Sequence, residues 1–359
     1  MIRWRKGTVE SVRREWPGAV ELDVTIGGDG PHRALAYPAL VGRPEPGDTV
    51  LLNTTALAMG LGTGGYAMVV AVPDRLPPDP TGPGHLVKAR YTPLQATVLG
   101  ADEQDSPHHA LLRDADSLHG TPVIVADLHS ALPPILAGLL AARPGTRTVY
   151  VMPDGGALPS WFSMSIARLK DAGALTATVT TGQAFGGDLE AVTVHTGLLA
   201  AHLVLNADVI VLAQGPGNLG TGTRWGFSGV TAGEAVNAAA VLSGRPVGSL
   251  RVSEGDLRER HIGVSHHSLT AYGRVALARA QIVVPELGGE FGTRVAAEAA
   301  PLGDRHDLVP VTVDGLHEEL RAAEKDWGLR LSTMGRRLDQ DLPYFLTAAA
   351  AGRHAATLL

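Results

Sequence analysis

The sequence predicts an α/β protein: a mostly parallel, Rossmann-like sheet with helices on both faces, preceded by a small all-β barrel. Three observations predict it. Residues 1–72 carry short alternating stretches divided by glycine turns. Residues 73–84 hold five prolines and two glycines, a stiff linker. From residue 85 to 359, near-continuous apolar runs alternate with helical patterns. Such runs are strands buried on both faces, as in a parallel sheet covered by helices.

In the first region, Thr8–Val12 and Val20–Ile26 alternate, as half-buried strands do. Gly27-Gly28-Asp29-Gly30 and Pro46-Gly47-Asp48 are turns. Thr49–Asn53 and Tyr66–Val72 complete a barrel of the SH3-like or OB type. In the second region, Pro122–Ala126 and Thr148–Met152 each lead to an aspartate (Asp127, Asp154) and then to Ala-Leu-Pro, at 131–133 and 157–159. Proline suits a first helical turn, where its missing N–H is no loss. Further strands are expected at 177–181, 209–213, 246–252 and 282–284. Helices are expected at 133–142, through Trp161 to Lys170, from near Glu234, from Ser265 to Ala280, and near 316–327 and 342–351.

Composition narrows the function. The 359 residues are 45 % hydrophobic and 18 % charged, with net charge −6 and no cysteine. The negative balance argues against a nucleic-acid surface. The missing thiols remove disulfides, thiolate metal sites and cysteine nucleophiles. Met1–Glu10 is basic but no apolar stretch follows it, unlike a signal peptide. No apolar run reaches the length of about 18 that a membrane span needs. The expectation is a cytoplasmic chain without membrane or nucleic-acid partner. A homo-oligomer is left open.

In an open parallel sheet, ligands bind beyond the carboxyl ends of the strands. Polar residues gather there in this sequence: Asp127 and His129, Asp154, Gln183, the run from Gln214 to Thr223, then Arg251 and Ser253. The run holds Gly215, Gly217, Asn218, Gly220, Thr221, Gly222 and Thr223. Four glycines in eight positions let backbone amides converge on an anion. The stretch formally matches a dinucleotide fingerprint, but no helix opens within it and no acidic residue follows at the required distance. Nor does it end in Gly-Lys-Ser/Thr, as a phosphate-binding loop of nucleotide hydrolases would. A structural turn is the alternative.

The second notable run is Arg258 to Tyr272, with three histidines and two arginines in ten residues. Ser265 reads as an N-cap, which puts His266 and His267 in a first helical turn. A helix N-terminus favours an anion and lowers a nearby histidine's pKa, leaving a neutral imidazole for base or metal chemistry. Arg251 and Arg260 are candidates to neutralise an anion. Asp127 and His129, two apart in an extended segment, point to one side and form a common two-ligand fragment for a divalent ion. Asp127 as a loop acceptor and His129 as a helix cap are the plainer alternatives.

Several runs together resemble an uncharacterised bacterial family, domain of unknown function 3866. They are His-Leu-Val-Lys-Ala-Arg-Tyr-Thr-Pro-Leu-Gln at 85–95, the Gln214–Thr223 loop, Arg-His-Ile-Gly-Val-Ser-His-His-Ser-Leu-Thr at 260–270, and Ser-Thr-Met-Gly-Arg at 332–336. The resemblance spans nearly the full length and implies no activity for any residue.

The residues therefore predict an enzyme acting on a small anionic molecule, phosphate- or nucleotide-like. The glycine loop, Arg251, Arg260 and Ser265 would hold the ligand, and Asp127, His129, His266 and His267 would carry proton chemistry. A divalent-metal hydrolase using Asp127, His129 and His261 is the alternative, and a non-catalytic binding or assembly protein is a third reading.

Overall fold

A computed structural model describes residues 1–61 and 64–359. The chain divides into two compact units, Met1–Val98 with Trp161–Ala167, and Leu99–Ser160 with Arg168–Leu359.

In the first unit, five strands close a barrel: β1 (Trp4–Trp16), β2 (Ala19–Ile26), β3 (Asp29–Ala36), β4 (Thr49–Asn53) and β5 (Ala67–Ala71). Their order is β1-β2-β3-β5-β4, with β1 antiparallel to β4 and β3 parallel to β5. This is the Greek-key order of OB barrels. Val9, Val20, Leu22, Val24, Val50 and Leu52 fill the interior. Two single-turn helices, α1 (Pro38–Val41) and α2 (Thr55–Ala58), link strands. A hairpin of β6 (Leu86–Lys88) and β7 (Ala96–Val98) also belongs to this unit. The Trp16 indole donates to the Trp161 carbonyl at 2.7 Å, within the same unit.

In the second unit, eight strands form one parallel sheet among the described residues. They are β8 (Pro122–Ala126), β9 (Thr148–Met152), β10 (Ala177–Thr181), β11 (Leu189–Ala191), β12 (Val209–Ala213), β13 (Arg245–Ser249), β16 (Gln281–Glu286) and β17 (Asp307–Thr312). Two short ladders stand apart from it: β14 (Val252–Ser253) with β15 (Gly263–Val264), and β18 (Ser332–Thr333) with β19 (Arg336–Arg337). The sheet order is β11-β10-β9-β12-β8-β13-β16-β17. The chain runs outward from β8 through β9, β10 and β11, returns to fill β12 between β9 and β8, and leaves on the other side through β13. The reversal of direction centres on β8, which is where an open α/β sheet offers a crevice.

Side-chain alternation covers both faces. Val123, Val125, Val149, Val151, Ile210 and Leu212 join a core with α6 (Val194–Leu199), α7 (Thr231–Val241), α8 (His266–Thr270) and α9 (Gly289–Ala299). The intervening Ile124, Tyr150 and Val211 are equally buried, on the face covered by α4 (Leu132–Ala142) and α11 (Leu342–Ala356). α10 (Leu316–Asp326) packs beside these two. Two further short helices are α3 (His109–Leu112) and α5 (Met164–Asp171), the latter beginning in the segment assigned to the first unit. Among the described residues, no helix is long and apolar enough to cross a membrane.

The helix expected through Trp161 to Lys170 is a 3-10 turn over Ser160–Phe162 followed by α5 from Met164, and two further expected elements differ. The strand expected over 246–252 ends at Ser249. Arg251 N–H then donates to Ser268 Oγ at 2.8 Å, and Val252–Ser253 pairs with Gly263–Val264 instead. The helix expected over 265–280 stops early: five α residues pass into a π turn, Ala271–Val275. Asn237 of α7 ends it, its Oδ1 accepting from Leu277 and Ala278 N–H and its Nδ2 donating to the Val275 carbonyl.

Candidate functional site

Three adjacent strands, β12, β8 and β13, deliver Gln214, Asp127 and Arg251 to the carboxyl edge. The segment after β15 adds α8, capped by Ser265, whose Oγ accepts from His267 N–H at 3.2 Å. Ser265 Oγ also lies 2.7 Å from His261 Nδ1. One hydroxyl therefore fixes the start of the helix and the imidazole before it.

The result is a cluster of three imidazoles. Ring centroids lie 5.0 Å apart for His261 and His266, 4.9 Å for His261 and His267, and 4.4 Å for His266 and His267. One ring nitrogen of each lies within 4.8 Å of the others. Burial, and then the charges of Arg251 and Arg258, push His261 down to about 2. Burial, then His267 and Arg260, push His266 down to about 4. Both rings are neutral at pH 7, as a metal ligand or base must be. His266 Nε2 is buried without a hydrogen-bond partner.

A balanced ion network backs the cluster. Arg251, 2 % exposed, lies 3.8 Å from Asp127 Oδ2, 3.4 Å from Asp256 Oδ2 and 3.4 Å from His267 Nδ1. Asp256 also takes Arg258 at 2.8 Å and Arg336 at 3.2 Å. Burial opposes ionisation of Asp256, but these partners, led by Arg258, hold its pKa well below the usual carboxylate range. Asp341 accepts from Ser253 Oγ at 2.7 Å, Glu254 N–H at 3.0 Å and Arg336 Nε at 2.9 Å. Three aspartates thus face three arginines, so the network adds no net formal charge to the site.

The expected site residues separate into groups. His261, Ser265, His266, His267, Asp127 and Arg251 come together. Arg260 is exposed on the rim, near enough for its charge to act on His266. The glycine run folds into its own hairpin: Thr221 N–H donates to Gly226 O at 2.7 Å, Ser228 N–H to Leu219 O at 2.8 Å, and Ser228 Oγ to Asn218 Oδ1 at 2.9 Å. The amides of Leu219 and Thr221 serve this hairpin, the former bonding Ser228 Oγ at 3.0 Å. Gly217 has φ 112°, and a Cβ there would meet nothing within 4 Å, so conformation is what calls for glycine. Gly215 instead packs on Met152, and Gly220 pairs with Phe227. Gly222 and Thr223 lie in the hairpin's exposed part.

The hairpin returns Phe227 to the cluster, where its ring stacks on His267 at 3.7 Å and 5°. Nothing in the glycine pattern pointed to Phe227. The signal was an aromatic residue, one of two with Trp225, at the end of a glycine- and threonine-rich stretch. Asp256 and Asp341 were also missed; Asp256 pairs with Arg251 and Arg258 of its own segment, and the link that joins it to Asp341 is Arg336 from a distant one.

His129 lies in a different network. Its Nδ1 is 3.2 Å from Tyr150 OH, which donates to the Gln214 carbonyl at 3.0 Å. Burial pushes His129 down to about 4. His129, His261 and His266 all bind protons more readily when unfolded than when folded. Stability is therefore unaffected above the unfolded value of about 6.5 and falls as pH drops from there toward 4. Denaturant midpoints measured from pH 8 to 4 should decline below about 6.5, and His129→Gln should flatten the decline. A flat profile down to pH 5 would contradict these burial assignments.

No curated protein and no solved structure matches the chain. The family described as "Protein of unknown function (DUF3866)" matches residues 33–352, which include the whole parallel sheet and all three clustered histidines. The chain belongs to the DUF3866 family.

Proposed function

We propose that this protein is a divalent-metal-dependent hydrolase acting on a small anionic, phosphate- or nucleotide-like substrate, with His261, His266 and His267 as the metal ligands. The carrying observation is the convergence of three imidazole nitrogens within 4.8 Å at the carboxyl edge of the sheet. Tetrahedral ligands at 2.0–2.1 Å stand about 3.3 Å apart. Modest rotations of the His261 and His266 rings toward His267 would close the difference. A divalent ion held there would supply Lewis acidity and would activate water for attack.

Charge bookkeeping favours an anionic substrate. An imidazole ligand brings no negative charge, so the ion's charge would be left uncompensated, and the aspartate–arginine network behind is already balanced. Arg260 is exposed on the same rim and free to meet a substrate anion, whereas Arg251 is buried and engaged. His266, half-buried, marks the open side. This ligand set departs from the Asp127–His129 pair, because His129 is directed to Tyr150.

The test is metal content followed by turnover. Protein purified without chelators, and then supplied with zinc, manganese or cobalt, should retain about one ion per chain. The loaded protein should hydrolyse at least one member of a panel of phosphate monoesters, diesters and nucleotides. Failure to retain any of the three metals overturns the reading. Metal retention without turnover of any panel member overturns its hydrolytic half.

A further inference from the structure

We infer that Asp127 is the positioning residue of this centre: its Oδ2 selects the Nδ1–H tautomer of His267 and so frees Nε2 for the ion. The inference rests on the metal reading above and deepens it.

His267 Nδ1 sits between two groups that want opposite things. Asp127 Oδ2 lies 3.5 Å away and can only accept while ionised. Arg251 Nη1 lies 3.4 Å away and can only donate. If Nδ1 accepts from Arg251, the ring proton must be on Nε2, where it blocks ligation. If Nδ1 carries the proton and gives it to Asp127, Nε2 offers its lone pair. The face-to-face stack with Phe227 fixes the ring plane and leaves hydrogen bonding to choose the tautomer.

Asp127 is placed for this choice. It ends β8, the central strand at the reversal of chain direction, and is 5 % exposed. Its backbone carbonyl is held by Gln214 Nε2. Its Oδ2 is buried without a hydrogen-bond partner, a state that costs free energy while it lasts. Arg251 has an alternative partner in Asp256, so releasing His267 does not strand its charge. The hydrogen bond present at Nδ1 comes from Arg251; a proton moved within the His267 ring, with a small shift of the ring toward Asp127, satisfies Asp127 and creates a ligand together. His261 has the matching arrangement, with Ser265 Oγ at its Nδ1. A carboxylate or hydroxyl behind each ligating imidazole orients the ring and raises its basicity.

Two measurements test this. Zinc affinity is read by competition with a chelating dye for wild type, Asp127→Asn and Asp127→Ala. Asp127→Ala should bind about 10–100-fold more weakly, and Asp127→Asn, which keeps a neutral acceptor, should fall between. Nitrogen-15 imidazole spectra of the metal-free protein should place the His267 proton on Nδ1 in wild type and on Nε2 in folded Asp127→Ala. This second readout stands even if Asp127→Ala does not fold, and a merely structural aspartate would not move it. Wild type that binds zinc while folded Asp127→Ala binds it equally, or a metal-free wild-type His267 protonated on Nε2, overturns this inference alone. Wild type that binds no zinc, manganese or cobalt overturns the metal reading and this inference with it.

Discussion

His266→Ala is expected to abolish metal retention and, with it, hydrolysis. If a small set of ligands shares roughly 10–16 kcal/mol of binding free energy, losing one forfeits several kcal/mol. At about 1.4 kcal/mol per decade, that is on the order of a thousandfold in affinity. His266 is the best first target because it is half-buried, and its Nε2 makes no hydrogen bond that the substitution would break. His261→Ala and His267→Ala should lose the ion as well. Each also removes a packed ring, so circular dichroism and thermal melts must accompany them. His129→Gln is the informative contrast. It should keep the ion, because His129 faces Tyr150 and is not in the cluster. The graded order is the check: ligand variants weakest, Asp127→Ala next, His129→Gln near wild type. A His266→Ala protein that stays folded and metal-loaded would remove His266 from the ligand set.

The second large effect is on stability. α4 and α11 approach so closely that glycine is needed on both. A Cβ at Gly352 would lie 1.9 Å from the Ile135 carbonyl oxygen, and one at Gly138 would lie 1.9 Å from that of Ala349. Neither obstacle is a flexible side chain, so one helix must move. Overpacking a core costs typically 1–3 kcal/mol and occasionally more, and a main-chain obstacle places Gly352→Val at about 3 kcal/mol or above. At roughly 2–4 °C per kcal/mol, the melting temperature should fall by on the order of 10 °C. The displacement would also reach the site. Asp341 immediately precedes α11 and holds Ser253, Glu254 and Arg336. Gly138→Ala and Gly352→Ala should combine less than additively, because both relieve or provoke the same helix separation. Urea denaturation of the two singles and the double decides it. A Gly352→Val protein as stable as wild type would mean that the helices part at little cost.

Much of the fold was legible because burial writes a period into the chain. The runs at 122–126, 148–152, 177–181 and 209–213 became β8, β9, β10 and β12 with those bounds. The expected helices near 133–142 and 316–327 also formed. The misses have particular causes. Asn237 captured the amides of Leu277 and Ala278, and Arg251 turned the chain out of the sheet toward Ser268. Neither cause is visible in periodicity, since each depends on a residue from another segment.

The sequence by itself determined the layers, the strand-end position of the polar residues and the three histidines that Ser265 gathers over seven positions. Cap chemistry and apolar period act between near neighbours, so a reader of the chain finds them. The tertiary structure alone decided that Asp127 and Arg251 meet His267, that His129 turns to Tyr150, and that the glycine run serves as a hairpin bearing Phe227. The physical reason is strand order. Setting β12, β8 and β13 side by side is a property of the whole sheet, and a buried charge takes whichever partner that packing leaves within reach.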